Sequence, residues 1–126
     1  LILGDRLWIT HWSNQGLMPA VPALLRLDDV DALDGELYAE IAALRRARDA
    51  LDAWLVDALD SLPAQHLQRE CVERWPDGRE IRRPLWIELQ HLFNHQTHHR
   101  GQLTTLLMQA GIDPGVTDLI ALPRDA

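Results

Sequence analysis

Cysteine is nearly absent from the chain: Cys71 is the only one among 126 residues, so no disulfide can form within it. A lone cysteine is typical of proteins kept in a reducing compartment, and we expect a cytoplasmic protein. Cys71 lies between charged residues in a predicted strand, which favours a buried, inert thiol over a nucleophile. No apolar run approaches the roughly 18 residues of a membrane span, so we expect no membrane partner.

Positive charge is also scarce, because 12 Lys and Arg residues face 19 Asp and Glu residues, a formal net charge of −7. Non-specific nucleic-acid binding depends on basic surface, so we expect no nucleic-acid partner. The apolar fraction of 47% and the charged fraction of 25% are those of a globular domain. The length predicts a single domain over residues 1–126, large enough to bury a core.

Apolar residues recur at helical spacing in three long segments. The sequence predicts helices over residues 1–14, 34–62 and 84–110. Residues 15–31 contain Gly and Pro and are predicted to form a loop, while residues 115–122 are predicted to form one short helix. The apolar stripe of the second long helix comprises Leu37, Ile41, Leu44, Leu51, Leu55, Leu59 and Leu62.

Between the second and third helices, the Asp77-Gly78 pair is a strong turn signal, because glycine tolerates the positive φ of a tight hairpin. Polar and apolar residues alternate loosely on either side of it. We therefore predict a small β-hairpin insertion over residues 67–83, with strands at 67–73 and 79–83. Long helices with short connections predict an all-α bundle around this insertion.

The third helix carries three histidines within five positions, His95, His98 and His99. At about 100° per residue, His99 lies about 40° from His95, and His98 lies about 60° away in the other direction. The arc that includes His99 also carries the apolar stripe of the helix. This stripe comprises Leu85, Leu92, Leu103, Leu106 and Ala110. We therefore expect His95 and His99 to face the core or a cleft beside it, and His98 to point away.

The i, i+4 spacing of His95 and His99 allows two imidazoles to share one metal ion. The alternative is that both rings bond to neighbouring helices or to water. His91 and His99 lie two turns apart, about 12 Å, so one helix cannot supply three ligands to one ion. A third ligand must come from elsewhere. Gln96 stands where the zinc-protease motif H-E-x-x-H requires its glutamate base, which excludes zinc proteolysis.

The segment from Leu85 to Arg124 closely resembles the C-terminal half of the DinB/YfiT-like family of metal-dependent helical-bundle proteins. The family signature H-x-x-x-H-R-G-Q is matched by His95, His99, Arg100, Gly101 and Gln102. The segment "LILGDRLWITHW" at residues 1–12 is similar to the family segment that follows its first metal-binding histidine. The resemblance therefore extends over nearly the whole chain.

This resemblance implies a bundle of four main helices, often dimeric, that holds a divalent metal, zinc or nickel, with three histidines. His95 and His99 correspond to two of these ligands. The third would precede Leu1, so we expect the natural chain to start upstream and to include a first helix that is lacking here. His11, on the same helix face but about 16 Å further along the axis, is the alternative third ligand. A surface or inter-helix role beside Trp8 is the competing expectation for His11.

The resemblance further implies a metal-dependent enzyme, either a thiol-dependent transferase or isomerase or a hydrolase. The metal would activate a low-molecular-weight thiol cosubstrate or a water. His91 and His98 are candidates for a separate acid or base only by proximity, so the catalytic side chains stay unassigned. The alternative is a non-catalytic, stress-related dimeric bundle with a structural or vestigial metal site. A homodimer is expected.

Four other residues have expected roles. Arg100 is predicted to pair with an acid of a neighbouring helix or subunit. Gly101 costs about 1 kcal/mol in mid-helix relative to alanine, which predicts a close helix approach. Gln102 is predicted to orient an imidazole. Trp8 is predicted to line a pocket.

Overall fold

The computed structural model describes residues 1–27 and 37–121, and within them the regular structure consists of three α-helices, one β-hairpin and two short 3-10 helices. The α-helices are α1 (Ile2–Asn14), α2 (Ile41–Asp60) and α3 (Leu85–Gln109). The antiparallel strands are β1 (Glu70–Arg74) and β2 (Glu80–Pro84). The 3-10 helices are Ala64–Gln68 and Leu119–Ala121. This mostly helical architecture with a hairpin insertion confirms the predicted fold class.

The second helix begins later than its periodicity predicts. Residues 37–40 are not helical, and Glu40 is extended, with φ −111° and ψ 128°, immediately before α2. Predicted positions 34–36 lie outside the described residues. Tyr38 packs against the core and its hydroxyl accepts a hydrogen bond from Arg6 at 3.2 Å. This tertiary contact favours a non-helical approach to α2 over the helical propensity of the segment.

The hairpin lies where the turn signal placed it, with strands shifted by up to three residues. Cys71 pairs with Arg83 across the two strands, and Gly78 has φ +86° in the turn. The first predicted strand positions, 67 and 68, belong instead to a 3-10 helix. The predicted helix over 84–110 is confirmed by α3. The predicted tail helix is wrong for most of its described positions, since only Leu119–Ala121 is helical there.

The chain forms two compact units, Leu1–Leu92 and Phe93–Ala126. The hydrophobic core of the described residues belongs to the first unit, where α1, the following loop, α2, the hairpin and the first turns of α3 each contribute. Its members are Ile2, Ile9, Trp12, Leu17, Met18, Val21, Leu25, Leu51, Leu55, Ala58, Cys71, Leu85, Leu89 and Leu92.

Two predicted apolar stripes are buried over only part of their length. On α2 the core residues lie in the C-terminal half, whereas Ile41 is 79% exposed. On α3 Leu92 is buried, but Leu103 is 55% and Leu106 is 61% exposed. For the part of the chain that the structure describes, the prediction that Leu103 and Leu106 face the core is therefore wrong. Periodicity predicts an apolar face, but it does not specify what covers that face.

None of the helices in the described ranges is long and apolar enough to cross a membrane.

Candidate metal site

His95 and His99 occupy successive turns of α3, within the second unit, and both are partly buried. Their Nε2 atoms are 3.0 Å apart. The ring centroids are 4.3 Å apart and the ring planes are inclined by 70°. The helix thus brings one nitrogen of each imidazole close to the other, which is the arrangement that i, i+4 spacing permits.

Gln102 fixes the orientation of the second imidazole. His99 Nδ1 lies 2.8 Å from Gln102 Oε1. An amide oxygen can only accept, so Nδ1 of His99 carries the proton and donates it in this bond. Nε2 of His99 therefore presents a lone pair toward His95. The predicted contact between Gln102 and an imidazole is confirmed, and such a contact is how metal-binding histidines are usually oriented.

The geometry of the pair fits a shared divalent ion. Two imidazole nitrogens on one tetrahedral zinc lie about 3.3 Å apart, given Zn–N distances near 2.0 Å. The observed 3.0 Å between the Nε2 atoms requires a change of only a few tenths of an ångström. Within residues 1–27 and 37–121, however, no group of three or more His, Cys, Asp or Glu side chains could hold a metal. Within the described residues the pair therefore offers two candidate ligands, one fewer than the resemblance implies.

The other three histidines considered above do not join this pair in a cluster of ligands. His98 is exposed and stacks edge-on against His99, with ring centroids 5.1 Å apart. His91 belongs to the first unit, where its ring packs edge-on against Trp8 at 5.0 Å. His11 is exposed and lies 2.7 Å from the side-chain amide of Gln15.

Two further residues of the signature have predicted roles that depend on a neighbouring helix or subunit. The Arg100 guanidinium donates to Thr97 Oγ1 at 3.0 Å, and no acid pairs with it among the described residues, so pairing with an acid of another subunit stays a prediction. A Cβ added at Gly101 would meet no atom of the described residues within 4 Å. The predicted close helix approach at Gly101 is therefore not found among the described residues. Its carbonyl instead accepts the hydroxyls of Thr104 and Thr105, each at 2.9 Å.

Cys71 has the buried, inert environment that the sequence predicts. Its side chain lies in the core, with the residue only 3% exposed. Burial, reinforced by the negative charge of Glu88, raises the pKa of the thiol to about 11. A thiol with so high a pKa is a poor nucleophile at neutral pH.

Two polar features of the first unit were not predicted from the sequence. Asp5, which is 1% exposed, is held by Arg48 of α2. Asp5 lies one turn from Ile9 on the buried face of α1. An acid at an otherwise apolar position of a helix indicates a buried charge that needs a partner, and this was the sequence feature that could have identified Asp5. Gln15 was also missed, although its side chain joins the end of α1 to the backbone of Val72 in β1. Nothing in the sequence specifies these distant partners.

A comparison with models of protein families finds a match to the DinB family over residues 5–126. The matched segment covers almost the whole chain. It begins at the buried Asp5 and includes the histidine pair. Comparisons with curated proteins and with solved structures find no match.

Proposed function

The chain belongs to the DinB family, and from this membership and its histidine pair we propose that it is a divalent-metal-dependent enzyme. The observation that supports the proposal most is the 3.0 Å approach of His95 Nε2 to His99 Nε2. The proposed reaction is a thiol-dependent transfer or isomerisation, or a hydrolysis. Its nucleophile is a low-molecular-weight thiol or a water.

Each side chain of the pair has a defined role in this proposal. His95 and His99 hold a zinc or nickel ion through Nε2, since imidazole suits both metals. Gln102 Oε1 accepts a hydrogen bond from Nδ1–H of His99, which keeps the Nε2 lone pair directed toward the ion. The chemistry that such an ion supplies is Lewis acidity, which makes a thiol or water more acidic. We also propose a cytoplasmic location, which the lone buried Cys71 supports.

Two assays on the full-length protein distinguish a thiol from a water as the nucleophile. Alkylation of free cysteine by monobromobimane at pH 7 reports thiol activation, and cleavage of p-nitrophenyl acetate reports water activation. We expect zinc- or nickel-loaded protein to accelerate one of the two reactions, and His95→Ala and His99→Ala to abolish the acceleration. The matched control is His98→Ala, which removes an adjacent exposed imidazole outside the pair. Equal rates for loaded protein, metal-free protein and all three variants would contradict the proposal.

The alternative function is a non-catalytic dimeric bundle, in which the histidine pair is structural or vestigial. Apolar exposure on α3 favours a subunit interface. Leu103 and Leu106, about one turn apart on this helix, are each more than half exposed. Clusters of exposed large apolar side chains usually mark interaction sites. We propose a homodimer in either case, because it would cover such residues.

Sedimentation equilibrium tests the dimer separately from the chemistry. We expect a dimer that Leu106→Gln weakens, whereas Leu24→Gln, a change at an exposed leucine of the loop after α1, has no effect. A monomer at all concentrations would contradict the homodimer. A dimer without metal-dependent acceleration in either assay would favour the non-catalytic bundle over the enzyme.

A further inference from the structure

A cleft of about 360 Å³ lies within the first unit, between α1, the loop that follows it and strand β1. This volume is at the lower end of the range for small-molecule sites. Its apolar wall is formed by Leu7, Trp8 and Leu27. Trp8 was predicted to line a pocket, and it does so here.

The loop wall of the cleft is held in place by Arg6 of α1. Its guanidinium donates to the carbonyl oxygens of Leu25 and Arg26, each at 2.9 Å, and to that of Leu24 at 3.3 Å. The backbone N–H of Leu27 donates to the buried Thr10 hydroxyl at 3.1 Å. These long-range bonds fix the loop against the helix, so this wall of the cleft is pre-formed.

The strand wall is fixed by the side chain of Gln15. Its Oε1 accepts the backbone N–H of Val72 at 2.8 Å, and its Nε2 donates to the Val72 carbonyl at 3.1 Å. This reciprocal pair holds β1 against the end of α1 in the way that a neighbouring strand would. It also determines which end of the amide is nitrogen, because only nitrogen can donate to the Val72 carbonyl.

The orientation of Gln15 in turn determines the tautomer of the neutral His11 ring. Gln15 Nε2 lies 2.7 Å from His11 Nε2 and can only donate there. His11 Nε2 is therefore the acceptor, and the proton of the neutral ring is on Nδ1. His11, which also lines the cleft, has one ring N–H that this bond leaves available.

The main hydrogen-bond acceptors that line the cleft already accept bonds from other residues of the protein. Asn14 Oδ1 accepts from Arg26 at 3.3 Å, and Glu73 Oε2 accepts from Arg83 at 2.9 Å. The Thr10 hydroxyl accepts from the loop, as described above. Because the Arg83 guanidinium also bonds Glu88 at 2.6 Å, it offsets the negative charge of Glu73 only in part.

The hydrogen-bond donors that line the cleft have fewer partners than its acceptors. Arg74 uses Nε to bond Glu80 at 3.0 Å, and its two terminal nitrogens have no partner within residues 1–27 and 37–121. The same part of the chain offers no acceptor to the side-chain NH₂ of Asn14 or to Nδ1–H of His11. The cleft thus combines an apolar wall with a rim of available hydrogen-bond donors.

We propose that this cleft binds a small carboxylate that carries an apolar body. The terminal nitrogens of Arg74 form the fork that matches the two oxygens of a carboxylate. Asn14 and His11 supply further donors, and the apolar body packs on Trp8 and its neighbours. The site lies entirely in the first unit and includes neither His95 nor His99. It therefore does not depend on the proposed metal chemistry.

Titration of the ¹⁵N-labelled full-length protein with phenylacetate, followed by NMR, tests this proposal. The reporter is the indole N–H resonance of Trp8, assigned by its loss in Trp8→Phe. We expect a saturable shift with a Kd of about 1 mM or lower. Phenylacetamide, which has the same shape without the charge, is expected to bind at least about tenfold more weakly, because charged hydrogen bonds are the stronger ones.

Two arginine variants separate recognition by the cleft from general electrostatic attraction. Arg74→Gln is expected to raise the Kd for phenylacetate by about tenfold or more and to leave the binding of phenylacetamide unchanged. Arg82→Gln is the matched control, because Arg82 also pairs with Glu80 on the hairpin but does not line the cleft. The proposal would be overturned by equal binding of the two compounds, by no saturable Trp8 shift at millimolar phenylacetate, or by equal effects of the two variants.

Discussion

The carboxylate of Asp5 on α1 is buried in the first unit and is bonded there by the guanidinium of Arg48 on α2. Arg48 also donates from Nε to Asp52 at 2.8 Å, one turn further along α2. The hydrogen bond to Asp52, and then the contact with Asp5, raise the pKa of Arg48 above its usual value despite its partial burial. One arginine thus joins two helices and compensates a charge that the core would not otherwise accept.

Arg48→Met is expected to lower the free energy of unfolding by about 3 kcal/mol, because it leaves the Asp5 charge buried without its cation. Asp52→Asn is the matched control and is expected to cost less than about 1 kcal/mol, since the Asp52 side chain is half exposed. Urea denaturation measures both. Equal costs for the two variants would contradict a special role for the Asp5–Arg48 pair.

The double variant Asp5→Asn with Arg48→Met tests the coupling between the two residues directly. Because the neutral amide no longer needs a cation, we expect the double variant to be more stable than the sum of the single costs implies, by about 1 kcal/mol or more. Urea denaturation of the four proteins in the cycle gives this interaction energy. Additive costs would show that Arg48 does not stabilise α1 through Asp5.

Gly101→Ala is expected to raise the free energy of unfolding by about 0.5–1 kcal/mol, since alanine favours mid-helix positions and the added Cβ meets nothing within 4 Å. Gly111→Ala is the control. It also has open space, but its φ of +75° makes any Cβ unfavourable, so it is expected to destabilise. Thermal unfolding distinguishes the two. A loss of stability in Gly101→Ala would indicate a close partner at this face of α3.

The Cys71 thiol is expected to react slowly with Ellman's reagent at pH 8. With a pKa of about 11, about one thiol in a thousand is ionised at that pH, and the side chain is also buried. Denaturation should make the reaction complete within the mixing time. Fast reaction of the folded protein would contradict the buried environment.

The raised pKa of Cys71 also predicts a pH dependence of stability. Between the ordinary value of 9.0 and about 11, the unfolded chain releases the thiol proton while the folded chain retains it. Rising pH in this window therefore favours unfolding. Urea denaturation at pH 8 and pH 10.5 should show a larger loss of stability for the natural protein than for Cys71→Ala. Equal losses would mean that Cys71 does not contribute to the alkaline transition.

The parts of the fold that could be predicted from sequence are those governed by local rules. Apolar periodicity predicted α1 and α3, and Asp77-Gly78 predicted the hairpin turn. The i, i+4 spacing of His95 and His99 predicted the approach of their rings, which the helix alone determines. The contact of Gln102 with His99 followed for the same reason.

The features that could not be predicted depend on distant partners. The late start of α2 coincides with the contact of Tyr38 with Arg6, 32 residues earlier, which periodicity does not reveal. The Asp5–Arg48 pair joins residues 43 positions apart, and periodicity contains no information about which cation meets a buried acid. The exposure of Leu103 shows the same limitation, since the sequence predicts that a helix has an apolar face but not which residues pack against that face.

Elemental mass spectrometry of the purified full-length protein tests whether His95 and His99 hold a metal, with His95→Ala, His99→Ala and the control His98→Ala measured in parallel. We expect a near-stoichiometric divalent ion in the natural protein and in His98→Ala, and its loss in the other two variants. No bound ion in the natural protein, even after reconstitution with zinc and nickel, would contradict a metal site at this pair, as would metal retained without His95 and His99.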